Sequence, residues 1–173
     1  MNPAPVPPEE RDWLVVLETG CDECGWAPGE PTLVTETLEK AVPRWEKVLS
    51  RETASQRPEA TVWSPVEYAC HVRDMVRLLG ERVSAMLNSD DPTFEDWDGN
   101  AKAVELDYHA VPPAEIAADM KRCTAATVPV LAAVSGQQWV RKGHRSDGAL
   151  FTVASLAVYM SHEVEHHLRD VAG

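Results

Sequence analysis

The stretch SHEVEHHLRD, residues 161–170, sets three histidines, two glutamates and one aspartate within ten positions. Imidazole and carboxylate are the donors that a divalent ion such as zinc prefers, and two of them four residues apart on a helix stand on one face, one turn apart. Two such pairs overlap here: Glu163 with His167, and His162 with His166. A third donor from a facing helix gives three ligands and one open position, which is what catalysis needs. The bland reading of the same run is a solvated last turn whose histidines complement the helix C-terminus.

His71 offers the third donor. At 100° per residue it falls within about 80° of Tyr68, Met75, Leu78 and Met86, so it points inward from its helix. A lone inward histidine is more often a satisfied core residue, and the C-terminal run is what gives this one a partner. On the last helix the apolar stripe is Val153, Leu156, Ala157, Met160, Val164, Leu168 and Val171. His167 lies about 40° from its centre with Glu163 one turn back on the same side, whereas His162 and His166 fall roughly opposite. The wheel therefore favours Glu163 and His167, with His162 and His166 as the alternative should the helix bulge. Asp170, one turn beyond His167, can fix a ligand imidazole's tautomer or be simple surface charge.

Four helices must position these groups. From Thr32 the apolar residues Leu33, Val34, Leu38, Ala41, Val42, Trp45 and Leu49 share a face, with Pro43 expected to kink or interrupt the run. The second helix opens at Ser64 as N-cap, with Pro65 at the first helical position and Glu67 three residues after the cap. A loop, NSDDPTFEDWDGN, and a short helix in AKAVELDYHA precede a third helix over 113–134, carrying Ile116, Met120, Thr124, Val128 and Leu131. RKGHRSDGA reads as a polar loop, and Thr152 caps the last helix. Four helices joined by polar loops predict an all-α four-helix bundle. Upstream, residues 1–12 hold four prolines and read as an extended arm, and DWLVVLETG as a short strand or buried extended stretch leading into CDECGW. The expected organisation is an N-terminal arm with a CxxC segment over 1–31 and a metal-binding bundle over 32–173.

Composition narrows the partners. Sixteen basic against 28 acidic residues give a net charge of −12 with no basic stripe, which disfavours nucleic acid. No apolar run approaches the roughly 20 residues of a membrane span, and the N-terminus lacks a basic flank and apolar centre, so a cytoplasmic chain off the membrane is expected. Of the four cysteines, Cys70 and Cys123 sit in helical segments and only Cys21 and Cys24 form a recognisable pair, which suits a reduced compartment. CDECG is half a zinc knuckle with no second CxxC, which is a weak signal; it reads first as two ordinary buried thiols, and then as a redox pair or as a metal site completed by tertiary neighbours.

The segments WSPVEYACHVRDM, PTFEDWD, RSDGALFTV and HEVEHHLRDV, in that order and spacing, resemble the DinB-like superfamily, in particular its actinobacterial members and the mycothiol-dependent maleylpyruvate isomerases. The resemblance spans about residues 32–172 and implies a four-helix bundle of DinB type with a short extra N-terminal segment. It implies a metal at one end of the bundle, held by a histidine of the second helix and an i, i+4 pair on the last. In the family the closing histidine is followed, after two intervening residues, by a polar and then an aliphatic residue. His167, with Arg169, Asp170 and Val171 after it, fits that pattern, and glutamate four residues back is the variant of the mycothiol-dependent members. The resemblance thus implies His71, Glu163 and His167 as ligands of one divalent ion, zinc or nickel, with mycothiol as co-substrate. Arg145, in a loop that matches a family block together with Trp97 and Asp98, is the candidate for a substrate carboxylate.

Two functions follow. One is a metal-dependent thiol S-transferase, isomerase or hydrolase acting on a small molecule or thiol, alone or as a homodimer. The other is a non-catalytic, metal-stabilised bundle serving as a stress-related or protein-interaction module.

Overall fold

A computed structural model of the chain describes residues 4–7 and 11–173. Four long helices carry the core: α2 (Val34–Leu49), α3 (Pro65–Asn88), α5 (Pro113–Ala132) and α6 (Val153–Asp170). The short helices α1 (Val16–Thr19) and α4 (Gly99–Glu105) flank them. The architecture is the expected all-α four-helix bundle. The start of α3 is fixed by a reciprocal cap: Glu67 N–H donates to Ser64 Oγ at 3.3 Å, and Ser64 N–H donates to Glu67 Oε2 at 2.8 Å. Thr152 and Ser155 do the same for α6, at 3.0 and 2.9 Å.

Both α2 and α3 pack against α5 and α6, which places α2 diagonal to α3 although they are consecutive. The segment between them, 50–64, crosses one end of the bundle and is tied to α3 by Val66 N–H donating to Ala54 O at 3.0 Å. Trp45, Leu38, Leu79, Met86, Ile116, Leu131, Leu156, Met160 and Leu168 are the large side chains sealed inside. Each contributes about 1.5–3 kcal/mol by leaving water. Pro43 lies inside α2 without interrupting it. It sits on the exposed side, where water can satisfy the Glu39 carbonyl that loses its N–H partner, and Pro129 does the same in α5.

Two further features differ from the reading of the sequence. Trp13–Thr19 is helical, a 3₁₀ turn running into α1, and not extended; Asp12 caps it through Leu14 N–H at 3.0 Å. This segment lies against α6. The loops expected to be irregular form a small sheet of β1 (Thr93–Phe94), β2 (Lys142–Arg145) and β3 (Leu150–Thr152), in the order β1-β2-β3. β1 runs parallel to β2 with Phe94 opposite Arg145, and β3 antiparallel with Phe151 opposite Gly143. A Cβ on residue 143 would lie 2.7 Å from the Phe94 ring, so glycine is required there. No helix among the described residues is long and apolar enough to cross a membrane.

Candidate metal centre

Neighbouring helices α3 and α6 bring His71, Glu163 and His167 together, each offering one donor atom within 4.8 Å of the others. Glu163 Oε2 lies 3.3 Å from His71 Nε2 and 3.6 Å from His167 Nε2. Ligands about 2.0–2.1 Å from a common tetrahedral ion are about 3.4 Å apart, so each imidazole nitrogen stands from the carboxylate oxygen at the spacing of a coordination shell. Chemistry agrees with geometry, since two imidazoles and one carboxylate are a donor set that suits zinc.

The surroundings fix these side chains. His71 is sandwiched between Trp63 and Trp97, with ring centroids 5.3 and 5.4 Å away, and meets the His167 ring edge-on at 4.9 Å. Gly99, at the start of α4, lets the backbone approach the His71 ring, because a Cβ there would lie 3.0 Å from its Cε1 and Nδ1. His167 Nδ1 lies 2.8 Å from Asp170 Oδ2, which sets its tautomer and aims Nε2 at Glu163. Burial penalises the Glu163 carboxylate, yet His167 and His71 override it and hold the carboxyl well below its usual range. For His167 burial works against the charge, but Asp170 and Glu163 win and raise it to about 9. Burial dominates at His71 and, against the pull of Glu163, lowers it below the usual histidine value.

The three residues open onto a cavity of about 620 Å³. Met75, Leu78, Leu79 and Phe151 supply apolar wall, Tyr159, Arg82 and Arg145 the polar groups. Tyr159 stands one turn before Glu163; burial and then the Glu163 charge push its phenol well above the usual range, so it stays a neutral donor. Arg145 of β2 does reach the cavity, but its guanidinium already grips Asp147 with two contacts, at 2.9 and 2.6 Å, and lies 3.4 Å from Asp96. Arg82 is a cavity residue that the sequence reading missed. It is buried, its Nη2 donates to Glu95 O at 2.6 Å, and it faces the Phe94 ring. The signal was present: Arg82 follows His71 by eleven residues, about 20° away on the same helix face.

His162 and His166 do not join this group. They point away from the bundle, as the wheel implied, yet both are buried, because Trp13 and Trp26 of the N-terminal segment cover that side of α6. Burial lowers His162 to about 4. No disulfide forms among the described cysteines. Cys70 is sealed in the core, and burial pushes its thiol up to about 12, so it is inert.

No curated protein matches the sequence. Among solved structures, YfiT from Bacillus subtilis shares the fold with a TM-score of 0.71 at 16% identity, over 82% of this chain and 85% of that one. It is described as a probable metal-dependent hydrolase with an unusual four-helix bundle topology. Residues 33–171, most of the chain, match the DinB superfamily, and the protein belongs to that superfamily.

Proposed function

We propose that the chain is a metal-dependent enzyme that binds one divalent ion through His71, Glu163 and His167 and acts on a small anionic molecule in the adjoining cavity. The observation that carries this reading is the convergence of His71 Nε2, Glu163 Oε2 and His167 Nε2 at the wall of an open cavity of about 620 Å³. When bound, such an ion acts as a Lewis acid and lowers the pKa of a coordinated water or thiol. Asp170 holds His167 in the tautomer that presents Nε2 to the site. Tyr159 supplies a neutral hydroxyl beside it, and Arg82, whose Nη2 donates to a backbone carbonyl, places positive charge in the cavity for a substrate carboxylate. Glutamate at position 163, the variant that the resemblance implies for mycothiol-dependent members, supports a low-molecular-weight thiol of the mycothiol type as the nucleophile, in transfer or isomerisation. The description of YfiT supports hydrolysis as the second reading.

The test is elemental analysis of purified wild type, His71→Ala and His167→Ala, followed by turnover assays. One ion per chain lost in both variants, with folding retained, supports a centre built from these residues. Turnover of an electrophile with mycothiol supports transferase or isomerase chemistry, and ester or amide cleavage without thiol supports hydrolysis. Metal content unchanged in both variants, or metal present with no turnover in either assay, overturns the catalytic reading.

A further inference from the structure

The Cys21–Cys24 pair, half a knuckle in the sequence, finds its other half about 140 residues later. Cys21, Cys24, His162 and His166 each place one donor atom within 4.8 Å of the other three. Cys21 Sγ lies 3.6 Å from His166 Nδ1, the separation that sulfur and nitrogen have about a common tetrahedral zinc, about 3.6 Å. The cysteines sit in a turn closed by Cys21 N–H donating to Trp26 O at 2.8 Å and Gly25 N–H donating to Cys21 O at 2.9 Å. Gly20 and Gly25, both at positive φ, flank it, and a Cβ at Gly20 would press to 2.9 Å from Trp26 O. The histidines stand one turn apart on α6.

An independent observation points to a missing partner. His162 is 1% exposed, and neither of its ring nitrogens has a hydrogen-bond partner among the described residues. Buried polar atoms are rarely left so unless something else satisfies them. Trp13, Trp26 and Tyr159 stand around the ring at centroid distances of 5.7, 5.1 and 6.1 Å, and the Glu163 carboxylate, 3.9 Å from Nδ1, is beyond hydrogen-bond reach. His166 presents Nδ1 to Cys21 and Nε2 to Asp170 Oδ2 at 3.7 Å. That is the order of a ligand imidazole whose outer nitrogen faces a carboxylate. A Cys21–Cys24 disulfide would consume the thiols but leave His162 unpartnered.

We propose that Cys21, Cys24, His162 and His166 form a second metal site, closed and tetrahedral, that takes one zinc ion and pins the N-terminal segment to α6. Binding converts both thiols to thiolates and releases their two protons to solvent, with both histidines neutral. Four protein ligands leave no open position, so this ion is structural. Its purpose is local: Arg11, Trp13 and Leu14, which the clamp holds in place, line the cavity beside the His71 centre.

Cobalt substitution of the full-length chain tests this, because the His71 centre contains no sulfur. Wild type reduced and loaded with Co(II) is expected to bind two ions and to show thiolate-to-cobalt charge-transfer absorption in the near ultraviolet. His71→Ala should keep that absorption and bind one ion; Cys21→Ser with Cys24→Ser should lose it and also bind one. Loss of the absorption in His71→Ala would place the sulfur ligands at the other centre and overturn the assignment. So would its absence from wild type with all thiols reduced, or a Cys21–Cys24 disulfide that persists in place of metal when cobalt and reductant are both present. The wild-type spectrum decides even if a variant fails to fold. A single ion that is lost in His71→Ala would remove the second site while leaving the first intact.

Discussion

Asp170 carries more of the chemistry than its place in the last turn suggests. One of its oxygens lies 2.8 Å from His167 Nδ1 and 3.7 Å from His166 Nε2, so adjacent histidines facing different clusters share one carboxylate. The first distance is a charge-assisted hydrogen bond and the second is beyond hydrogen-bond reach. Asp170→Asn should therefore weaken metal retention at the His71 centre by about 10–100-fold and at the cysteine cluster by less. Competition against a chromophoric chelator, with the two sites told apart by cobalt absorption, measures both; equal retention at the His71 centre in variant and wild type would show that Asp170 does not orient His167. At this scale the helical wheel was informative. It brought His71, Glu163 and His167 to one place and turned His162 and His166 outward, because each of those conclusions depends on one helix and its nearest neighbour. The burial of His162 and His166 was not legible, since it is made by Trp13, Trp26 and Cys21, whose separation from α6 no local pattern encodes.

The elements that position the site depend on how their ends are closed, and α3 shows this best. Glu67, 2% exposed, caps Ser64 and is gripped by Arg57 through contacts at 2.9 and 3.1 Å, which joins the crossing segment to the helix that carries His71. Burial raises the Glu67 carboxyl, but Arg57 and Ser64 outweigh it and hold it below the usual glutamate range. Replacing it, Glu67→Gln, should cost about 2 kcal/mol at neutral pH, the scale of a hydrogen bond to a charged group. A carboxyl depressed in the folded state stabilises fully above its unfolded value of about 4.3 and loses that contribution as pH falls through the folded value. The stability difference between wild type and Glu67→Gln, from urea titrations across pH, should thus hold steady near neutrality and shrink in acid. A difference that grows on acidification contradicts the pairing. Ser64, Pro65 and Glu67 announced this boundary because a cap is a local signal. The β1–β2–β3 sheet had none, because strands of two to four residues such as Thr93–Phe94 and Lys142–Arg145 are too short to show alternation. Trp13–Thr19 failed as a strand for the same reason: its apolar run is short enough to suit either state until the face of α6 decides.

Across the whole molecule α6 is the hub. It packs on α2, α3 and the N-terminal segment, and it contributes two residues to each cluster. Its far end is held by Arg44, paired with Glu165 at 2.8 Å, and by Arg51, whose guanidinium donates to the carbonyls of Val171 and Ala172 at 2.6 and 2.7 Å. An ion between His71 and the Glu163–His167 pair would clamp α3 to α6, and an ion in the cysteine cluster would clamp the N-terminal segment to the adjoining face of the same helix. Both ligand sets exist only when α6 is packed, so metal that binds the folded chain must raise its stability. At a free concentration a hundredfold above Kd that amounts to about 2.7 kcal/mol per site. For a chain of this size each kcal/mol moves Tm by roughly 2–4 °C, so each site should add roughly 5–11 °C. Stripping both ions with chelator should lower Tm by the sum, and His71→Ala should retain only the part due to the cysteine cluster. Limited proteolysis separates the two clamps, because loss of the cysteine-bound ion should expose the chain before residue 31 to cleavage while the bundle persists. A Tm indifferent to chelator and to added zinc would mean that neither cluster holds an ion in the folded protein, and the orphaned nitrogens of His162 would then be a plain cost of folding.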